Sequence, residues 1–424
     1  MNRVFAALGF AFLLSAGTYA MQTAQKVIKD PAEYNAYINA LNAQGAEAKA
    51  AAMEGFISQF PASVVKMDAL EQAMAAYQQT NNTNKVGQTA ERILQIDPAN
   101  VRALAIAAFT KRATATAIGD PKMAQEVGSF ARAGLAALPG WTQPVGMSEN
   151  DFEKLRNQVA AIFHGAAGFA ALQNKDFAAA RDSYLKALAI DPSNMEDTYQ
   201  LAVAELQMTP LDVNGFWYAA KAINLAQRQN QGAAGTMTDF TKAINTITDY
   251  AKAMYRRYHG DMDGWDKLVA AAAGQTAPPA NFAVAIKKAP TAAEIACQAV
   301  AENDPDSLSF SDLEFILTMR DSAPCNKEAA NKAWAAIRNK EKQGAAKLRI
   351  SVKVISVSDE SIEAAITEEN QSANQADLKV AMKEPLKNPL APGAMIDVIG
   401  VIKDYTLNPF MFLMEQGELP EGQQ

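Results

Sequence analysis

A proline returns again and again directly after an amphipathic helical stretch: Phe60-Pro61-Ala62-Ser63, Ile96-Asp97-Pro98-Ala99-Asn100, Leu138-Pro139-Gly140 and Ile190-Asp191-Pro192-Ser193-Asn194. Proline has no backbone N–H and clashes with the preceding turn, so each occurrence stops a helix. Start signals alternate with these stops. Asp30-Pro31-Ala32-Glu33 offers an N-cap, a proline at the first helical position and an early acidic residue. Thr291 with Glu294 and Ser311 with Glu314 have the spacing of capping boxes, where each side chain satisfies a backbone donor near the other. Between Asp30 and Asn339 the chain is rich in alanine and poor in β-branched runs, so this whole stretch is expected to be α-helical.

The clearest unit runs from Ala161 to Asn194. Gly168 and Ala180 are small where two helices must approach closely, Tyr184 and Ala187 follow Ala180 at one-turn spacings, and Pro192 ends the second helix. These residues resemble the tetratricopeptide repeat (TPR) family, whose unit of about 34 residues carries a small residue in its first helix, an Ala-aromatic-Ala series in its second and then a proline. The match is to Gly168, Ala180, Tyr184, Ala187 and Pro192. His164, Ala167 and Ala171 stand where the family has its first-helix Trp, Leu and Tyr. In the unit ending at Pro98, Tyr77 matches the first-helix aromatic, while Val86, Ala90 and Ile93 keep only the apolar character of the second helix. The unit ending at Pro61 departs further, with Lys49 at a position that wants a small residue. The resemblance covers roughly Pro31 to Asn230. It implies a helical solenoid of stacked helix pairs, because one pair cannot bury its apolar face alone.

Asn230 to Gly235 reads as a break, and helical spacing then resumes with Phe240, Ile244, Ile247, Tyr250, Ala251 and Met254, with Trp265 to Ala273, and with Ala292 to Ala301. After the charged run from Arg338 to Gly344 the period changes to two. Leu348, Ile350, Val352 and Val354 alternate with polar residues, as do Ile362, Ala364 and Ile366, then Leu378, Val380 and Met382. Met395 to Ile402 is a longer strand in which Gly400 marks a bulge or close approach, and Phe410 to Met414 makes a fifth. Pro392 to Tyr405 followed by Phe410 to Met414 resembles the fourth and fifth strands of an OB-fold. A small all-β, OB-like barrel is expected, with a generic sandwich or roll as the alternative. The organisation is thus a signal peptide over 1–20, TPR-like repeats over 30–230, a helical extension or cap over 236–340 and a barrel over 347–418.

The signal-peptide reading rests on Arg3, the short apolar run from Val4 to about Leu14 and the small residues near Ala20. The run is shorter than the roughly 20 apolar residues a membrane span needs. Export to the periplasm or the extracellular space is expected, without stable membrane insertion after cleavage. No cysteine precedes Cys297, so a lipidated N-terminal cysteine is not expected. In an oxidising compartment Cys297 and Cys325 form either a disulfide or two buried thiols.

Charge and composition narrow the chemistry. With 39 basic against 46 acidic residues the net charge is −7, and from Lys347 onward 7 basic residues face 12 acidic ones. Nucleic-acid binding, which needs a cationic groove, is not expected of the chain or of its barrel. Two cysteines and two histidines leave little material for metal sites. Asp261, Asp263 and Asp266 invite a calcium-loop reading, but Gly264 falls at the fourth position instead of the sixth and Ala272 at the twelfth, so a helix-connecting turn is expected. His164 is placed as a packing or interface residue. No nucleophile motif, phosphate cradle, HExxH or CxxC accompanies either histidine, so no catalytic residue, metal or cofactor is assigned.

What remains is the groove that the TPR resemblance implies. Its first helices would present Asp68, Glu71, Ala75 and Gln78, then Arg102, Ala105, Phe109 and Arg112, then Ile162, Gly165, Phe169 and Leu172. Of these, Arg102, Phe109, Arg112, Ile162, Phe169 and Leu172 are the expected partner-binding residues, with contact to a neighbouring helix as the other reading of Phe109 and Phe169. The Lys and Asn of the family's carboxylate clamp are absent at the matching positions. The expected function is an exported, non-enzymatic scaffold binding a protein or peptide. The alternatives are a periplasmic envelope-assembly adaptor, suggested by Phe60-Pro61-Ala62-Ser63, and a small-ligand carrier using the barrel.

Overall fold

The computed structural model describes residues 26–144, 146–232, 237–344, 346–386 and 390–420, with the side chains of 230–232 and 237–240 left out. The expected signal peptide over 1–20 and part of the expected break at Asn230 to Gly235 lie outside the described residues. The chain divides into two compact units, Met1–Lys288 and Ala289–Gln424.

The described residues of the first unit form helices α1 (Pro31–Asn42), α2 (Ala46–Gln59), α3 (Lys66–Gln79), α4 (Thr83–Ile96), α5 (Val101–Ile118), α6 (Pro121–Ala137), α7 (Glu149–Gln173), α8 (Phe177–Ile190), α9 (Met195–Gln207), α10 (Asn214–Gly232), α11 (Met237–His259), α12 (Trp265–Ala272) and the short α13 (Phe282–Ala285). From α1 to α11 each helix packs on the next, and α5 touches α7 as α7 touches α9. At the end of the series α12 packs back on α10.

Local chemistry sets these boundaries. Asp30 caps α1 through Ala32 N with Pro31 at the first helical position, as the sequence predicts. Two stretches of the unit then repeat the same main-chain turn. Where α3 gives way to α4, Thr80 N donates to Ala76 O, Asn81 adopts a left-handed φ of 53°, and Asn82 N reaches back to Tyr77 O. Where α7 gives way to α8, Asn174 N donates to Ala170 O, Lys175 has a φ of 61°, and Asp176 N reaches Ala171 O. Asn82 and Asp176 cap the helices that follow. At the next turn Asp97 and Asp191 each accept from the residue after the proline, both at 3.1 Å. Asn100 and Asn194 then cap α5 and α9.

The core of this repeated pair shows how the two copies differ. Val86, Ala90 and Ile93 in α4 correspond to Ala180, Tyr184 and Ala187 in α8, and all six are buried. A Cβ placed on Gly168 would lie 2.9 Å from the Tyr184 ring, so only glycine admits that aromatic. In the earlier copy the sizes are exchanged: Met74 stands at the glycine position and Ala90 at the tyrosine position, both fully buried. The pair keeps its total volume while the large side chain changes helix.

The second unit contains α14 (Ala292–Glu302), α15 (Phe310–Thr318), α16 (Pro324–Gln343), β1 (Leu348–Val357), β2 (Ser361–Ala365), α17 (Glu368–Ala373), β3 (Leu378–Met382), β4 (Met395–Leu407) and β5 (Phe410–Glu418). The stretch 236–340, read from sequence as one extension, is therefore divided between the units, and α14 to α16 share a core with the strands. The strands close a barrel in the order β1-β2-β3-β5-β4, with β3 and β5 parallel and the other pairs antiparallel. That arrangement is compatible with the OB-like expectation. The β4–β5 register shifts between Ile399 and Val401, placing the bulge at Gly400. Strict alternation carries Val352, Val354, Ile362, Ala364, Leu378, Val380, Val398, Ile402, Phe412 and Met414 into the interior, which they fill.

Two features of this unit sharpen the sequence reading. Cys297 and Cys325 are joined in a disulfide with Cα atoms 6.0 Å apart, tying α14 to the first turn of α16. The capping box at Thr291 and Glu294 forms as expected. The one expected at Ser311 and Glu314 does not, because α15 starts earlier, with Ser309 and Asp312 making the reciprocal bonds. Glu314 is released from that role and sits inside the helix.

Candidate interaction face of the helical array

Helices α3, α5 and α7 carry the residues that the repeat reading assigns to a binding face, and the structure gathers several of them, with two acids of α9, into two charged clusters. The first joins α3 and α5. Lys26 pairs with Asp68 at 2.8 Å, Arg102 Nη2 donates to Gln78 Oε1 at 3.3 Å, and Glu71 lies within the field of Arg102. Burial pushes the Glu71 carboxyl up against the opposing pull of Arg102, and burial pushes the Arg102 guanidinium down against the pull of Glu71. Each is the other's compensation for leaving water.

The second cluster is deeper and joins four helices. Arg112 of α5 places Nη2 2.7 Å from Asp197 Oδ1 and 3.2 Å from Glu196 Oε1, both in the first turn of α9. Its guanidinium lies 5.8 Å from the Phe169 ring centre on α7 and 6.0 Å from that of Tyr184 on α8. Burial opposes the Arg112 charge, but Asp197 and Glu196 outweigh it and raise its pKa. Burial likewise raises Glu196 and lifts the Tyr184 phenol well above its ordinary range. Gly165 makes room for the cluster: a Cβ there would fall 2.6 Å from Asp197 Oδ2 and 2.8 Å from Arg112 Nη1. Half-buried His164 stands beside it in the chain, held below its usual pKa by burial and by Lys186.

The six residues expected at a partner surface therefore have different environments. Arg102, Phe109 and Ile162 are half-buried, and the two apolar ones pack against the core of the first helices. Arg112 is largely enclosed, at 12% side-chain exposure. Phe169 is 2% exposed and Leu172 8%, so both are core residues and neither is on an open surface. The reason is packing on two sides, since α7 is in contact with α5, α6, α8 and α9. The sequence reading missed Glu196 and Asp197 as parts of this face. Their position in the first turn of a helix is already explained by the helix dipole, which hides their second role as counter-ions.

Chemically the arrangement pairs buried charges and sets them against aromatic rings. No group of His, Cys, Asp and Glu suited to a metal is present among the described residues. At the aspartate-rich turn, Asp261 accepts from Asp263 N and His259 Nδ1 lies 2.7 Å from Lys287 O, which makes it a helix connection. No described helix is long and apolar enough to cross a membrane. Comparisons with protein-family models, with curated proteins and with solved structures found no match.

Proposed function

We propose that this chain is an exported, non-enzymatic scaffold that binds a protein or peptide partner through the face built by α3, α5, α7 and α9, in a TPR-like solenoid. The observation that carries the reading is the repeated helix pair, with matching turns at Asn81-Asn82 and Lys175-Asp176 and matching caps at Asn100 and Asn194. Stacked pairs expose an extended surface along one helix set, the kind of surface that holds an extended or helical segment. The half-buried Glu71, Arg102, Phe109 and Ile162 supply polar and apolar contacts toward the N-terminal part of that face. Phe169 and Leu172 support it from within.

Export is supported by the N-terminal sequence pattern and by the Cys297–Cys325 disulfide, a bond that persists in oxidising compartments. An envelope-assembly adaptor is one form this scaffold could take. The apolar side chains buried inside the barrel, among them Val352, Val380, Val398 and Phe412, weigh against a ligand carried in its interior. The test is affinity capture by the tagged chain from the exported fraction, alongside an Arg102→Ala/Ile162→Ala variant. A partner held by the parent chain and lost by the variant supports the reading, and a partner held equally by both refutes the assigned face.

A further inference from the structure

Glu314, displaced from its expected capping role, faces another carboxyl group. Asp377, 1% exposed and directly before β3, accepts hydrogen bonds from Ile366 N at 2.6 Å, from Thr367 N and Thr367 Oγ1 at 3.0 Å each, and from Asn370 Nδ2 at 2.9 Å. The same Asn370 Nδ2 donates to Glu314 Oε1 at 3.2 Å, so a single amide serves both acids. Glu314 Oε2 is buried and has no donor. The charged groups acting on Glu314 are Asp377 and, from α17, Glu369; both are acidic.

We propose that Glu314 and Asp377 share one proton, which ties α15 to the α17 turn of the barrel and is released as the solution turns alkaline. A carboxyl oxygen buried without a donor against a second carboxylate is costly when ionised, and a proton on Glu314 turns that orphan oxygen into a donor toward Asp377. With the proton, every polar atom of the pair is used. Without it, two negative charges compete for the Asn370 amide. Burial first, and then Asp377, push the Glu314 carboxyl up to about 7, which brings the release within the neutral range. The structural consequence is confined to the second unit: the amides of Ile366 and Thr367, which end on Asp377, and the α15 turn around Glu314 loosen together.

The experiment is a carboxyl-carbon NMR titration of the full chain with labelled Glu, together with hydrogen exchange of the 366–377 segment, corrected for intrinsic rates, from about pH 5.5 to about pH 8.5. Glu314 is expected to titrate near neutrality, and protection of the Ile366 and Thr367 amides to fall about tenfold across that range. In Glu314→Gln the side-chain amide donates to Asp377 at every pH, so protection stays constant. A Glu314 titration in the ordinary carboxylate range, pH-independent protection in the parent chain, or an equal fall in Glu314→Gln would each overturn the proposal. The NMR titration needs no variant and decides the matter if Glu314→Gln does not fold.

Discussion

Arg112 of α5 and Asp197 of α9 meet at 2.7 Å across Gly165 of α7. One ion pair thus fixes the spacing of three first helices, and its enclosure makes the loss of either partner costly. Arg112→Ala leaves two buried carboxylates without a counter-ion and is expected to destabilise the first unit by about 3–5 kcal/mol. Arg112→Met combined with Glu196→Gln and Asp197→Leu removes all three charges and should recover much of that loss. Urea unfolding of the single and combined variants checks this, and equal losses for both would show that the charges do not interact.

The Gly168–Tyr184 contact makes a packing prediction. Gly168→Ala drives a Cβ to 2.9 Å from the aromatic ring and should cost about 1–3 kcal/mol by overpacking. The exchange of sizes between Met74–Ala90 and Gly168–Tyr184 points to the remedy: Gly168→Met with Tyr184→Ala should be more stable than Gly168→Met alone. Thermal unfolding of the three variants reads the difference.

Glu205 is 2% exposed, and burial, reinforced by Asp212, pushes its carboxyl up to about 8. The folded state therefore binds its proton more tightly than the unfolded chain does. That contribution to stability is complete below the unfolded carboxyl range near pH 4.5 and is lost as pH rises to about 8. Chemical denaturation at intervals between these limits should show stability falling with pH, with a shallower fall in Glu205→Gln. An identical slope in the variant would assign the effect to another group.

Reduction of Cys297–Cys325 should destabilise the second unit by about 3 kcal/mol, because the bond constrains the unfolded chain between α14 and α16. Thiol titration of the denatured protein is expected to find no free thiol until reductant is added. Two free thiols before reduction would contradict the bond.

The first three strands were legible because side chains alternate between a buried interior and solvent, and that period survives in the sequence as Leu348-Arg349-Ile350-Ser351-Val352, while β4 was legible as a longer apolar run. The start of α15 was not, since Ser309-Asp312 and Ser311-Glu314 are overlapping signals of one kind. Burial of Leu313, Ile316 and Leu317 is compatible with either, and the observed start gives Asp312 the reciprocal cap. The environment of the candidate face was half legible. Repeat positions located Arg102 and Arg112, but a repeat pattern says which helix face a residue occupies and not how many neighbours cover it. Phe169 and Leu172 are covered because α7 is packed from several directions.

The most direct measurement puts a photo-reactive residue at Arg102, Phe109 or Ile162 on the first helices, and at Leu185 or Ile190 on the exposed side of α8, in cells that make the protein. The account expects one discrete partner adduct from the first-helix positions, in the exported fraction, and none from α8. Adducts from Leu185 and Ile190 alone, or no adduct from any first-helix position, would contradict it.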